Sequence, residues 1–144
     1  MRTFHIYTDA SSKDTTSKGG VKRTTKAGVV VVDFHILDIY YNRKEIYIPN
    51  NIAEVQAICE SIDYVKNKYN AIDIIVHTDF LSIITQKKKL NRKLKKKLKN
   101  IDIRYVRGHC AHKRRGSKYK FNALADWICA NGLNWKDYYY RHLL

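Results

Sequence analysis

The stretch Asn50–Asp79, NNIAEVQAICESIDYVKNKYNAIDIIVHTD, decides the architecture. Pro49 closes the segment before it, and Asn50-Asn51 opens a helix, asparagine being a good N-cap. Ile52, Val55, Ile58, Cys59, Ile62 and Val65 recur at helical spacing. Ile72–Val76 is a short, nearly continuous apolar run, the pattern of a strand buried on both faces. A helix feeding such a strand implies a crossover, and a crossover implies parallel pairing with an earlier strand. Each end of the stretch carries an acid. Glu54 lies on the first helical turn, at the edge of the apolar face, so it points along the sheet rather than out to water. Asp79 follows the strand, where α/β folds place ligand-handling residues.

Working outward, residues 3–9 alternate: Phe4, Ile6 and Thr8 point one way, Thr3, His5, Tyr7 and Asp9 the other. Residues 12–26, SKDTTSKGGVKRTTK, are polar and basic with two glycines and read as a loop. Ala27–Asp33 is valine-rich and Ile36–Lys44 is rich in Ile and Tyr; with Phe34-His35 between them they read as a hairpin continuing an antiparallel sheet. Downstream, the pattern predicts a short helix near 80–87, a lysine-rich helix near 90–99, a strand near 101–106 and a helix near 120–131. The tail Trp135–Leu144 adds room for one more short helix. The order βββαβααβα defines an α/β fold: a five-stranded mixed sheet, three antiparallel strands then parallel ones, flanked by helices. The absence of repeats and linkers makes 1–144 a single domain, long enough for a real core.

Hydrophobic residues make up 44% and charged residues 28%, ordinary for a globular chain, but 28 Lys and Arg face only 13 Asp and Glu, a formal charge of +15. That surplus favours a polyanion. Nucleic acid fits better than a membrane face, because the basic residues are not gathered on one amphipathic helix and no run approaches the roughly 18 apolar residues of a membrane span. Cys59, Cys110 and Cys129 are odd in number and widely spaced, so free thiols in a reducing, cytoplasmic setting are expected, with no targeting signal at the N-terminus.

Four of the scarce acids fall at element edges: Asp9, Glu54, Asp79 and Asp126, the last sharing a helix face with Asn122 at i and i+4. Each alone has a bland reading, as a turn former, a partner of the helix dipole or a solvated residue. Brought together, they would repel one another unless cations were present. Oxygen-only ligands suit Mg²⁺ or Mn²⁺ rather than zinc. Two such ions about 4 Å apart activate a water and stabilise the leaving oxygen in phosphodiester cleavage. The His109-Cys110-Ala111-His112 segment invites a zinc reading, but the other cysteines stand at no recognised ligand spacing.

At these positions the chain resembles the type 1 ribonuclease H family, in order and over most of its length. Thr8-Asp9-Ala10-Ser11 looks like the first-strand motif, Asn50-Asn51-Ile52-Ala53-Glu54 like the Asn-x-x-x-Glu element, and Ile74–Asp79 like the strand ending in Thr-Asp. Val106–His109 with Asn122–Asp126 looks like the Gly-His and Asn-x-x-x-Asp pieces. The resemblance implies an RNase H-like fold and an endoribonuclease that cuts the RNA strand of RNA–DNA hybrids, leaving 5′-phosphates. Asp9, Glu54, Asp79 and Asp126 would hold two Mg²⁺ or Mn²⁺ ions, and His109 would assist proton transfer or product departure. Asn50, Asn51, Asn122 and the Ala10-Ser11 backbone would touch the substrate, whose wide minor groove is lined with 2′-hydroxyls. A monomer is expected.

The chain departs from the family where substrate is held. Only 29 residues separate Asp79 from His109, too few for the family's protruding basic handle. In its place 87–99, KKKLNRKLKKKLK, carries nine basic residues and no acid. Arg92, Lys93, Lys96 and Lys97 are the expected phosphate contacts there. Pro49 stands where many members have a DNA-binding threonine. Two other functions fit the same pattern: a binding module that holds hybrid or double-stranded RNA without cutting, and a DNA-cleaving nuclease.

Overall fold

The computed structural model describes residues 2–85, 92–108 and 116–144. Strands β1 (Thr3–Ser17), β2 (Gly20–Val32), β3 (Leu37–Lys44), β4 (Asp73–Thr78) and β5 (Asp102–Tyr105) form one sheet in the order β3-β2-β1-β4-β5. β1, β2 and β3 pair antiparallel; β4 joins β1, and β5 joins β4, in parallel. The expected mixed sheet is therefore present, and the parallel pair β1–β4 is made by the helix that separates them in sequence. The helices are α1 (Asn50–Tyr69), α2 (Leu81–Thr85), α3 (Arg92–Leu98), α4 (Ser117–Asn131) and α5 (Lys136–Tyr138), the last running into a π-helical turn, Tyr139–Leu143. None of the described helices is long and apolar enough to cross a membrane.

The sheet is covered on both faces, and the side-chain period of two divides its residues between them. Phe4, Ile6, Val29, Val31, Ile74 and Val76 pack against Ile58, Ile62 and Val65 of α1. Tyr7 and Val30 point the other way, onto Leu124, Ala125 and Ile128 of α4. The run Val29–Val31, wholly inaccessible to solvent, serves both cores.

Four details differ from the sequence reading. Residues 12–26 are not a loop: β1 continues to Ser17 and β2 starts at Gly20, in unbroken register from His5 opposite Val32 to Ser17 opposite Gly20. The alternation test misses this ribbon because both of its faces are largely solvated beyond the edge of β3. The β-branched Thr15, Thr16, Thr24 and Thr25 are the signal it left unread. Helix α1 has Pro49, not an asparagine, at its N-cap position, without a side-chain cap; Asn50 is already helical. β4 is displaced toward its C-terminus, running through Thr78 and leaving Ile72 exposed. Helix α4 starts three residues sooner than expected, at Ser117.

Candidate active site

Asp9 sits midway along β1, opposite Gly28 of β2, and both helices come unusually close at this level. On one face Ala10 and Ala27 meet Ala53 and Ala57, successive turns of α1. On the other, a Cβ placed on Gly28 would lie 2.4 Å from the Ala125 carbonyl oxygen and 2.6 Å from the Cys129 nitrogen. No side chain fits there, so α4 rests directly on the strand. These small residues let the acids of two helices reach the sheet's central strand. They are the functional positions that acid-spotting overlooks; Ala53 and Ala57 at i and i+4, facing the strand pair Ala10 and Ala27, were the available signal.

The result is a carboxylate cluster. Asp9, Glu54 and Asp79 each offer an oxygen, and these lie within 4.8 Å of one another. Asp79 follows β4 at the parallel junction with β1, and Glu54 arrives on the first turn of α1. Asp126 of α4 completes the group through a side-chain hydrogen bond with Asp9. Glu54 is only 8% exposed; it accepts a hydrogen bond from the Ala10 N–H at Oε1, 3.3 Å, and another from the Asp9 carboxyl. Its Oε2 has no hydrogen-bond partner among the described residues. Burial pushes the Asp9 carboxyl far above the usual range, reinforced by the hydrogen bond its protonated form donates to Asp126 and by the charges of Glu54 and Asp79. Burial likewise raises Glu54, to about 8, with the Asp79 charge adding to it. Such crowding is unfavourable for bare carboxylates and is relieved by a cation. The oxygen-only donor set and the orphaned buried Oε2 fit a hard divalent metal.

The surrounding residues fall into place around this cluster. A Cβ on Gly108 would sit 2.8 Å from Asp79 Oδ2, so the chain leaving β5 passes against that acid. The Val106 N–H donates to the Thr78 carbonyl at 2.8 Å, fixing that approach. His109 itself, like Cys110 and His112, lies outside the described residues. Asn50 is exposed, and its Oδ1 accepts from the Ser12 N–H at 2.9 Å, tying α1 to β1 beside the cluster; Asn51 is exposed next to it. Ala10 contributes its N–H to Glu54, and the Ser11 hydroxyl lies 3.6 Å from Cys129 Sγ. Asn122 is buried, and its Oδ1 has no partner among the described residues. Cys59 and Cys129 are free and buried.

The described part of the lysine-rich segment, α3, is anchored at its C-terminal end. Leu98 is fully buried in the α1-side core, and Lys97 pairs with Asp63 of α1 at 2.5 Å. Arg92 and Lys96 remain exposed on α3. Residues 86–91 lie outside the described residues, and Lys93 is described only as part of the helix backbone.

No protein-family model matches the sequence, and no curated protein does either. Solved structures do match. LC9, a type 1 RNase H with the type 2 active-site motif, superimposes with a TM-score of 0.66 at 14% identity, over 97% of this chain and 82% of that one. The fold is RNase H-like. The N-terminal RNase H domain of rv2228c from Mycobacterium tuberculosis gives a TM-score of 0.60 at 16% identity, over 92% of this chain and 99% of that one. LC11, an RNase H solved in complex with an RNA/DNA hybrid, gives 0.52 at 17% identity, over 72% and 84%. At such identities the shared property is the RNase H-like fold itself, on which the acidic cluster is compatible with a metal site.

Proposed function

We propose that this protein is a metal-dependent endoribonuclease that hydrolyses the RNA strand of RNA–DNA hybrids. The observation that carries the reading is the convergence of Asp9, Glu54 and Asp79 within 4.8 Å, with the hydrogen-bonded Asp126 beside them. These four carboxylates would hold two divalent ions, Mg²⁺ or Mn²⁺. When bound, such ions polarise the phosphate, lower the pKa of the attacking water and stabilise the leaving oxygen. The chain's own part is to fix the carboxylates: the Ala10 N–H orients Glu54, Asp126 orients Asp9, and the Gly108 backbone confines Asp79. Asn50 and Asn51, exposed beside the cluster, are suited to hydrogen-bond 2′-hydroxyls, which favours an RNA-containing substrate. His109, one residue beyond Gly108, would exchange a proton with the departing product.

The test is cleavage of an end-labelled RNA–DNA hybrid with Mg²⁺ or Mn²⁺, beside duplex DNA and duplex RNA. RNA-strand cutting of the hybrid, lost in Asp79→Asn, supports the reading. Cutting that persists in Asp79→Asn overturns the assigned site. A hybrid held but uncut under every metal condition points instead to a binding module on this fold.

A further inference from the structure

The β1–β2 ribbon has two chemically different faces. Beyond Asp9, alternate residues of β1 and their partners on β2 share its side: Ser11 with Lys26, Lys13 with Thr24, Thr15 with Lys22. This face holds three lysines and no acid. None of the three makes an ion pair among the described residues, whereas the opposite face is neutralised by an Arg23–Asp14 pair at 3.2 Å. Lys22 and Lys26 are both diagonal neighbours of Lys13, roughly 7–8 Å away on the same face, where like charges repel. β3 stops pairing at Lys44 opposite Thr25, so the ribbon beyond has no third strand among the described residues. Lys13 and Lys22 are exposed.

The base of the ribbon is rigid. The Thr25 hydroxyl donates to the Ile46 carbonyl at 2.8 Å and accepts from the Ile48 N–H at 3.0 Å, and the Ser12 hydroxyl donates to the Ile48 carbonyl. Together with the Ser12–Asn50 bond, this pins the ribbon to the segment that opens α1. A stiff arm therefore leaves the carboxylate cluster with lysines at fixed distances. At about 3.3 Å per strand residue, Lys13 stands about 13 Å and Lys22 about 20 Å beyond Asp9. Those spans correspond to about four and six base-pair steps of 3.4 Å.

We propose that the lysine face of this ribbon, Lys13, Lys22 and Lys26, is a phosphate-contact surface for the nucleic-acid duplex whose strand the carboxylate cluster cuts. The assignment rests on the nuclease reading for what happens at the cluster, and on the segregation of charge for the surface itself. A polyanion is the partner that relieves three unpaired lysines on one face. The opposite face, already neutralised, gains nothing from it.

Lys22 and Arg23 make the test, because they are sequence neighbours of equal charge on opposite faces. Binding of a labelled RNA–DNA hybrid of about two helical turns is measured against salt, without divalent metal, for the wild type and for Lys22→Gln, Arg23→Gln and Lys13→Gln/Lys22→Gln. The expected result is a salt slope flatter by roughly one for Lys22→Gln and roughly two for the double variant, with Arg23→Gln at the wild-type slope. Equal changes in Lys22→Gln and Arg23→Gln, or none in either, overturn the surface. Cleavage of the same hybrid with Mg²⁺ is scored separately. Face-dependent slopes without cutting would keep the surface and remove the nuclease reading; cutting with face-independent slopes would do the reverse.

Discussion

The two halves of β1 are built on one backbone ladder and obey different physics. Residues 3–10 are clamped between α1 and α4, largely among apolar or very small side chains, with His77 beside His5 and Tyr7. Residues 11–17 run out into water, paired to β2 by hydrogen bonds and held at the base by hydroxyls. The inner half draws its stability from buried area, and it spends that rigidity on holding like charges together. The outer half buries little and, on the face that continues from Asp9, carries lysines with no acid among them; its one acid, Asp14, is on the other face, paired with Arg23. A strand can thus carry negative charge inward and positive charge outward along one face. The divide is set by where the helices stop covering it.

The largest way to break this contrast is to remove an acid from the clamped half. Asp9→Asn should lower metal-dependent cleavage of the hybrid by more than about 100-fold, the upper range for losing a mere supporting partner of a metal ligand. The variant should keep its hybrid affinity in metal-free buffer, read by anisotropy, because the acid attracts metal and not phosphate.

Gly28→Ala tests why the acids meet. With the Ala125 carbonyl 2.4 Å from the new Cβ, α4 must shift, at a cost of about 1–3 kcal/mol measured by urea unfolding. Activity should fall further than the loss of folded protein explains, since Asp126 travels with α4. If stability and activity both stay at wild-type levels, close helix contact at Gly28 is not what assembles the cluster.

Electrostatics gives a sharper comparison. In the metal-free protein, burial and mutual repulsion raise Glu54 to about 8, above its unfolded value near 4, and raise Asp9 further. The folded state therefore holds more protons than the unfolded one over that interval, and stability falls as pH rises through it. Melting temperature without metal should drop between pH 5 and pH 8, a window lying inside the one just named. Added Mn²⁺ should stabilise more at pH 8 than at pH 5, because the deprotonated cluster is what binds it. A flat metal-free profile would remove the argument for crowded carboxylates.

The smallest effect belongs to the ribbon base. Thr25→Val should cost roughly 1–2 kcal/mol, from the orphaned Ile48 N–H and Ile46 carbonyl, with cleavage of the hybrid little changed. Thr16→Ala, farther out and exposed, should stay within about 0.5 kcal/mol of wild type.

Several of these features were readable in the chain and others were not, for physical reasons. The apolar run of β4, the helical spacing of α1 and the valines of β2 announce buried surfaces, because burial imposes a period on sequence. The acids announce themselves by scarcity against 28 basic residues. The ribbon was misread because a strand without a buried face leaves no hydrophobic alternation. The N-cap was misassigned because Asn50 uses its side chain across the structure, on Ser12, rather than on its own helix.

Sequence by itself determined the order of elements, the parallel crossover and the identity of the acids, since each depends on local propensity or on periodic burial. Only the tertiary structure decided that Asp9, Glu54 and Asp79 fall within 4.8 Å, and that Asp126 joins them. The four alanines let the helix of Glu54 approach the strand and Gly28 admits the helix of Asp126; their role is the side chain they lack, and a missing side chain has meaning only against the helix that fills its place.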